Sequence, residues 1–314
     1  MSSEIVIKFL VAAVLAGTPF LFGTVGEILS EKVGHLNLGV EGMMSIGACA
    51  GFMVGYQTDN FVAALLAAAV AGMLSALIYG VLTVTFMANQ NVTGLTLTIF
   101  GVGLSNFIGV FMLEKSENGT LKLPDAVTAQ MRNIHIPGLS DLPVVGELLF
   151  SYNPFVYLGI IIAIVASFYL YKTQVGLNVQ AIGENPGAAD AAGIEVTKWR
   201  YINILLSGGA YCSMIINGGV WLRDSVGGLG WISVALVIFA AWKPINVIYG
   251  SFIFGALRVL KYYVPKNTYA IPTAFFDALP FIITALVLVI ASMRKNKGAH
   301  IPAHLGENYF REER

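Results

Sequence analysis

Ionisable and hydrogen-bonding side chains are scarce in this sequence, and the places where they interrupt long apolar runs are its first candidates for chemistry. Residues 18–48, TPFLFGTVGEILSEKVGHLNLGVEGMMSIGA, carry Glu27, Glu31, His35, Asn37 and Glu41 between glycines at 23, 26, 34, 39, 42 and 47. An ionisable group at membrane depth marks a pathway or gate by default, and Glu41, inside an apolar run just after a glycine-bounded break, is the sharpest case. The competing reading makes it a carboxylate that complements a helix dipole and caps nearby amides. Asn37 and His35 have the same two readings, passage lining or cap. Residues 88–107, ANQNVTGLTLTIFGVGLSNF, add Gln90, Asn91, Thr93, Thr96, Thr98, Ser105 and Asn106. Asn91, Thr98 and Ser105 stand seven apart and share a helical face, with Thr96 off that stripe. Such amides and hydroxyls can bond the hydroxyls or base edges of a neutral solute, and in membranes they equally tie helices together. The stripe holds no charge, which favours a neutral solute over a zwitterion. Trp231, Phe239 and Trp242 offer faces for stacking a base, or else belong to the core or the aromatic belt. Arg223 and Asp224 read as charges at an external mouth that either pair with each other or dock a solute-delivering partner, and Asp277 as a buried carboxylate bonded to Tyr262, Tyr263 or Thr284.

Bond-making machinery is missing from the sequence. There is no G-x-S-x-G elbow, no His/Cys metal spacing and no G-x-x-x-x-G-K-[ST] loop for phosphates. The expectation is a non-enzymatic chain with no metal and no cofactor of its own.

The elements that must position these residues are membrane helices. Of 314 residues 56% are hydrophobic and 11% charged, against a charged share of roughly 25% in soluble domains. Runs at 61–88, 92–113, 154–171, 201–222 and 273–293 reach the roughly 20 residues needed to cross a bilayer, with less regular ones at 5–25, 39–57 and 231–263. A transmembrane barrel is excluded because FVAALLAAAVAGMLSALIYGVL is apolar on every face. The run at 5–25 reads as a first membrane segment, since no small-residue cleavage site leads from it into a polar chain. Cys49 and Cys212 sit in apolar runs and read as buried small hydrophobes. Residues 18–57 read as a discontinuous membrane element, echoed at 225–244, SVGGLGWISVALVIFAAWKP, where a glycine cluster again precedes an apolar helix.

Basic residues near spans favour the cytoplasm, so Arg294, Lys295 and Lys297 place the 294–314 tail inside and Lys172, Lys198 and Arg200 do the same for 172–200. The passes between them agree: 201–222 outward, 223–230 external, 231–242 inward, a turn at WKPIN, 245–263 outward and 273–293 inward. Residues 114–153 then form the main external loop of a single domain spanning 1–314. The side of the N-terminus stays open.

One polar stretch does not fit a membrane span. GENPGAADAAGI, residues 183–194, reads as a complete short helix: Asn185 as cap, Pro186 at the first position, alanines within, and Gly193 closing in a left-handed turn. It has no apolar face for lying on a membrane, and it is too short to be stable alone. Docking against a partner and an inert surface position are both open on these grounds.

This stretch resembles the cytoplasmic coupling helix of bacterial ABC-importer permeases in the branched-chain amino acid, ribose and nucleoside group. GEILSEKVGHLNLGVEGMMSIGA is similar to the N-terminal signature of the nucleoside branch, GAHIPAHLGENYFREER to its C-terminal signature, and GLGWISVALVIFAAWKP to its late broken-helix motif. The resemblance implies an all-α permease fold of the larger importer type with about eight to ten membrane helices, some discontinuous, in a bacterial cytoplasmic membrane. It implies coupling to a cytoplasmic ATPase subunit through Glu184, Asn185, Pro186, Ala188, Asp190, Ala191 and Gly193, with ATP held by that partner. A second, homologous permease subunit in a heterodimer and an extracytoplasmic solute-binding protein follow, with a nucleoside as solute. Asn37, Glu41, Asn91, Thr96, Thr98, Asn106 and Trp231 are the pathway candidates. The rival expectations are a permease for ribose-type sugars or branched-chain amino acids, an ion-coupled secondary transporter using Glu41, Glu27 or Asp277, and a scaffold or channel subunit.

Overall fold

The computed structural model describes residues 3–116, 119–140, 142–210, 219–264, 272–293 and 301–311; Cys212 and the basic run 294–297 lie outside them. Thirteen α-helices are found among the described residues: α1 (Ser3–Lys32), α2 (Val40–Thr58), α3 (Phe61–Gly80), α4 (Gln90–Glu114), α5 (Asp125–Gln130), α6 (Val145–Leu149), α7 (Pro154–Lys172), α8 (Gln174–Glu184), α9 (Pro186–Ala191), α10 (Val196–Ala210), α11 (Leu229–Phe239), α12 (Pro244–Tyr263) and α13 (Thr273–Met293). Four stretches, Glu4–Lys32, Phe61–Thr85, Gln90–Glu114 and Pro154–Lys172, are long and apolar enough to cross a membrane. The second ends in one π-helical turn, Val81–Thr85. Side chains of Asn60, Asn89, Asn153, Thr173 and Asn185 accept the first free amides of α3, α4, α7, α8 and α9, which answers the unpaired donors every helix start carries.

The bundle has two ends. At one, here the tail end, residues 301–311 pack against the 33–36 turn, the 87–90 turn and α9. At the other, the loop end, residues 121–123 pair with 219–221 (Leu123 N–H to Gly219 carbonyl 2.7 Å, Trp221 N–H to Leu121 carbonyl 2.9 Å). Phe52, Leu121, Leu123, Val127 and Trp221 bury a small cluster beneath that pairing. The Tyr263 hydroxyl donates to the Lys8 carbonyl (3.1 Å), so α1 starts at the loop end near the C-terminal end of α12 and crosses once.

α1 is the central column, packed on α12, α11, α10 and α7. A Cβ on Gly17 or Gly255 would overlap the backbone of the helix opposite, so these glycines permit the α1–α12 crossing at backbone distance, the small-residue packing membrane helices use. Outward faces of α3 and α7 carry large exposed apolar residues, among them Leu66 and Phe168, as a lipid-facing surface requires.

Three expectations need correction. The discontinuity expected over 18–57 is confined to residues 33–39: α1 runs unbroken through Pro19, Gly23 and Gly26, and Gly23 instead makes room for Ser233. The span expected at 201–222 is no single helix. α10 is described as far as Ala210, and residues 220–222 at the far end of that run are not helical: they follow Gly219 at φ +83° and pair with 121–123. The 172–200 segment also holds more structure than one short helix, because α8 precedes α9 and buries Val179 and Ile182.

Candidate functional site

At the tail end, α9 forms as its residues dictate. The Asn185 side chain accepts the Ala188 amide at 2.9 Å, Pro186 occupies the first turn, and Gly193 closes the end at φ +85° while the Gly193 and Ile194 amides donate back to the Asp190 and Ala189 carbonyls. Pro186 and Ala189 are buried, whereas Glu184, Asn185, Ala188, Ala191 and Ala192 are exposed. The helix therefore turns a small-sided face outward and is seated from behind.

Behind it lies the tail. The Tyr309 hydroxyl donates to Asp190 (2.9 Å), the Arg311 guanidinium lies 3.3 Å from the same carboxylate oxygen, and the Ala303 amide reaches Glu184 (3.3 Å). Between α9, the start of α10 and the tail sits a cavity of about 590 Å³ whose wall includes Val84, Asp190, Glu195, Lys198, Arg200, Tyr309 and Arg311. Lys198 pairs with Glu195 at 2.8 Å, and that bond with the ammonium charge holds the Glu195 carboxyl below its ordinary value. Arg200 is buried with no acceptor for its Nε and Nη2, and His35 is buried with neither ring nitrogen bonded.

Deeper in the bundle, Glu41 joins two helix starts. It lies at the second position of α2, and its carboxylate oxygens accept the Gly228 and Gly230 amides (2.7 and 2.6 Å). The first free donors of α11 thus meet a negative charge, which also suits the helix dipole. α11 has 11 residues, about 16 Å at 1.5 Å per residue, so it is a half-helix that starts inside the bundle. Asn106 of α4 clamps the loop leading into it, giving one bond to Asp224 (2.6 Å) and taking the Asp224 amide (3.0 Å). α2 and α4 meet through Gly42 and Gly101, each of which leaves no room for a Cβ.

The predicted residues separate into three groups. Glu41, Asn37 and Thr98 are buried joints: Asn37 takes the Gly39 amide (2.8 Å) and gives its own amide to Glu27 (2.9 Å), and Thr98 donates to the Leu38 carbonyl (2.8 Å). Asn106 is the half-buried clamp just described. Asn91, Thr96 and Trp231 are exposed, and Thr96 bonds back to Val92 within its own helix. The shared stripe of Asn91, Thr98 and Ser105 does not survive, because Asn91 sits at the helix start where α2 no longer covers it, while Thr98 and Ser105 are buried.

The three aromatics also part company. Phe239 packs edge-on to Phe254 in the core, and Trp242 is buried in the turn after α11, bonded to Glu31. Asp277 is exposed and pairs with Lys261 at 2.6 Å rather than with Tyr262, Tyr263 or Thr284; the covalent neighbourhood gave no sign of a partner sixteen residues back on α12. The packing of the tail on α9 was likewise missed, since non-periodic residues give no contact signal.

The long helices and the half-helix α11 make up one helical bundle. Its fold matches that of an ABC transporter provisionally described as of the metal-chelate type, solved in an inward-facing conformation (TM-score 0.50, 12% identity, 92% of this chain and 85% of the other). Residues 9–288 match the family described as the branched-chain amino acid transport system permease component. The chain belongs to that family and is a multi-pass membrane transport component. Relatives include a protein provisionally named a glucose ABC transporter permease, TsgC13 of Haloferax volcanii (32% identical, 96% of this chain and 97% of the relative). They also include the nucleoside ABC transporter permease NupC of Lactococcus lactis (32%, 87% and 88%) and the guanosine ABC transporter permease NupQ of Bacillus subtilis (32%, 88% and 89%).

Proposed function

We propose that this chain is the membrane-spanning permease subunit of an ATP-driven importer that carries nucleosides across a bacterial cytoplasmic membrane. The observation that carries the reading is α9: a capped, six-residue helix of small residues whose outward face is Ala188 and Ala191, continued by Ala192 at its end and flanked by Glu184 and Asn185. A surface of that kind admits a partner at backbone distance. With no phosphate loop in the sequence, a cytoplasmic ATPase subunit docks there and holds the ATP, so the tail end faces the cytoplasm and the loop end faces outward. An extracytoplasmic solute-binding protein delivers solute at the loop end, and a second homologous permease completes the pathway as a heterodimer. Asn91, Thr96 and Trp231, exposed on the bundle surface, meet the solute where the two permeases face each other; Asn37, Glu41, Thr98 and Asn106 hold the frame. The family match and the occupation of the Glu41 carboxylate by backbone amides both speak against an ion-coupled mechanism.

Two relatives named for nucleosides or guanosine support the nucleoside. The equal identity to TsgC13 supports a second reading in which the solute is a sugar such as glucose. Uptake of labelled guanosine, adenosine, uridine and glucose by cells with and without this chain separates them, repeated with an ionophore and after ATP depletion. Chain-dependent nucleoside uptake that requires ATP and survives the ionophore is the expected result. Glucose uptake alone selects the second reading, and uptake that follows an ion gradient overturns both.

A further inference from the structure

Residues 301–311 have no regular secondary structure, yet their bonds reach three separate segments of the tail end. To α9 and the residues before it they offer Tyr309 and Arg311 on Asp190 (2.9 and 3.3 Å), the Ala303 amide on Glu184 (3.3 Å) and the His304 amide on the Gly183 carbonyl (2.9 Å). To the 33–39 turn they give the Gly306 amide on the Gly34 carbonyl (3.1 Å). To the turn before α4 they give Asn308, which donates to the Met87 carbonyl at 2.6 Å. Gln90 ties the last two together: it is buried, donates to the Glu307 carbonyl (3.3 Å) and accepts the Leu36 amide (2.9 Å). From Leu36 the turn continues through Leu38, bonded by Thr98, to Glu41 and the start of α11. A continuous series of bonds therefore runs from the docking helix, through the tail, to the half-helix inside the bundle.

The closed position of the tail is not cost-free. Tyr309 lies over the Arg200 guanidinium with 6.0 Å from the guanidinium carbon to the ring centre. Arg200 Nε and Nη2, both nitrogens of His35 and, within the tail itself, His304 Nδ1 are buried without hydrogen-bond partners. Each such group forfeits the hydration it would regain if the tail lifted. Bonds that hold the tail down are thus opposed by donors that gain from its release, the balance a two-state element requires.

We propose that residues 301–311 form a strap that passes displacement of α9 to the turns before α2 and α4, and that Tyr309 is a positioning residue acting through Asp190. The proposal rests on the importer reading. Proximity along a bond series is not coupling in itself, so the test measures coupling directly. The complete transporter, with its ATPase, partner permease and binding protein, is reconstituted in vesicles, and ATP hydrolysis and labelled-solute uptake are followed together.

Tyr309→Phe keeps the ring over Arg200 and deletes only the hydroxyl. It is expected to lower uptake per ATP hydrolysed by about tenfold or more, the factor one lost hydrogen bond to a charged group produces between coupled states, while hydrolysis stays within about twofold. Because Asp190 also pairs with Arg311 (3.3 Å), Asp190→Asn is expected to lower the same ratio, and the double variant to lose less than the sum of the two single losses; fully additive losses would show that Tyr309 does not act through Asp190. An unchanged ratio in Tyr309→Phe overturns the strap, as does a proportional fall of uptake and hydrolysis, the mark of lost docking or folding. If that variant fails to insert, hydrogen exchange at His304 and Gly306 in the unaltered transporter decides: faster exchange in one nucleotide state supports the strap, and equal exchange in all states overturns it. Wild-type uptake that needs no ATP overturns the importer reading and the strap with it, whereas ATP-driven wild-type uptake with a normal Tyr309→Phe ratio overturns the strap alone.

Discussion

Replacing Glu41 with alanine is expected to unseat α11 and stop transport. The carboxylate accepts two backbone amides at 2.7 and 2.6 Å in a buried position. Hydrogen bonds to a charged group contribute about 1.5–3 kcal/mol each, and donors left unmet in a buried site add a penalty of similar size. The charge at the helix start adds about 0.5–1 kcal/mol. Since these contributions overlap, Glu41→Ala is expected to cost about 3–5 kcal/mol, in line with breaking a buried charged contact. At 1.4 kcal/mol per tenfold, that shifts the docked-to-undocked balance of α11 by more than about a hundredfold. Glu41→Gln keeps one acceptor oxygen but turns an amide NH2 toward the other donor, so it should lose one bond and the charge, about 1.5–3 kcal/mol. The assay is the thermal unfolding midpoint of the purified permease together with ATP-driven uptake. Both should fall in the order wild type, Gln, Ala. Glu41→Ala with wild-type stability and uptake would refute the reasoning. So would a Gln variant as stable as wild type but as inactive as Ala, because a carboxylate that must titrate would behave that way.

Three further outcomes follow from the same geometry. Ala191→Trp, on the exposed face of α9, should leave the chain inserted at normal levels while abolishing ATP-driven uptake and co-purification of the ATPase subunit; retained uptake would remove α9 from the coupling role. Gly101→Ala puts a Cβ into the Gly42 backbone and should destabilise the α2–α4 contact by about 1–3 kcal/mol, the range for overpacking, read as a lowered unfolding midpoint. Asn185→Ala removes the α9 cap and should cost about 1 kcal/mol locally; faster hydrogen exchange of the 187–192 amides with the global unfolding midpoint unchanged would report it.

Much of the site's local chemistry was legible from residue types. The sequence NPGAADAAG fixes its own cap, first-turn proline and left-handed close through contacts no more than five residues apart, so α9 forms where it was expected. The turn after α11 at WKP and the glycine cluster before α11 are local in the same sense. Glu41 was recognisable as special because a carboxylate in an apolar run must be satisfied by something. What satisfies it lies 187 and 189 residues away, which no spacing along the chain reveals. The same reason misled the reading of Asp277, whose partner Lys261 sits on a neighbouring helix, and of the Asn91, Thr98 and Ser105 stripe, since a helical face says which residues are aligned but not how far along its neighbour covers them.

Composition alone determined that this is a helical membrane protein, because about 20 consecutive apolar residues have no other stable home than a bilayer. The sequence also holds no phosphate loop and marks 183–194 as one short capped helix that does not fit a membrane span. Only the tertiary structure decided that Glu41 is a joint between α2 and α11 rather than a free carboxylate, and that the break after α1 is confined to residues 33–39. It alone brought the 301–311 segment onto α9 and over Arg200. Helix formation is governed by neighbours a few residues apart, whereas a buried charge takes its role from whichever donors the packed helices bring to it, and those donors are set by the whole fold.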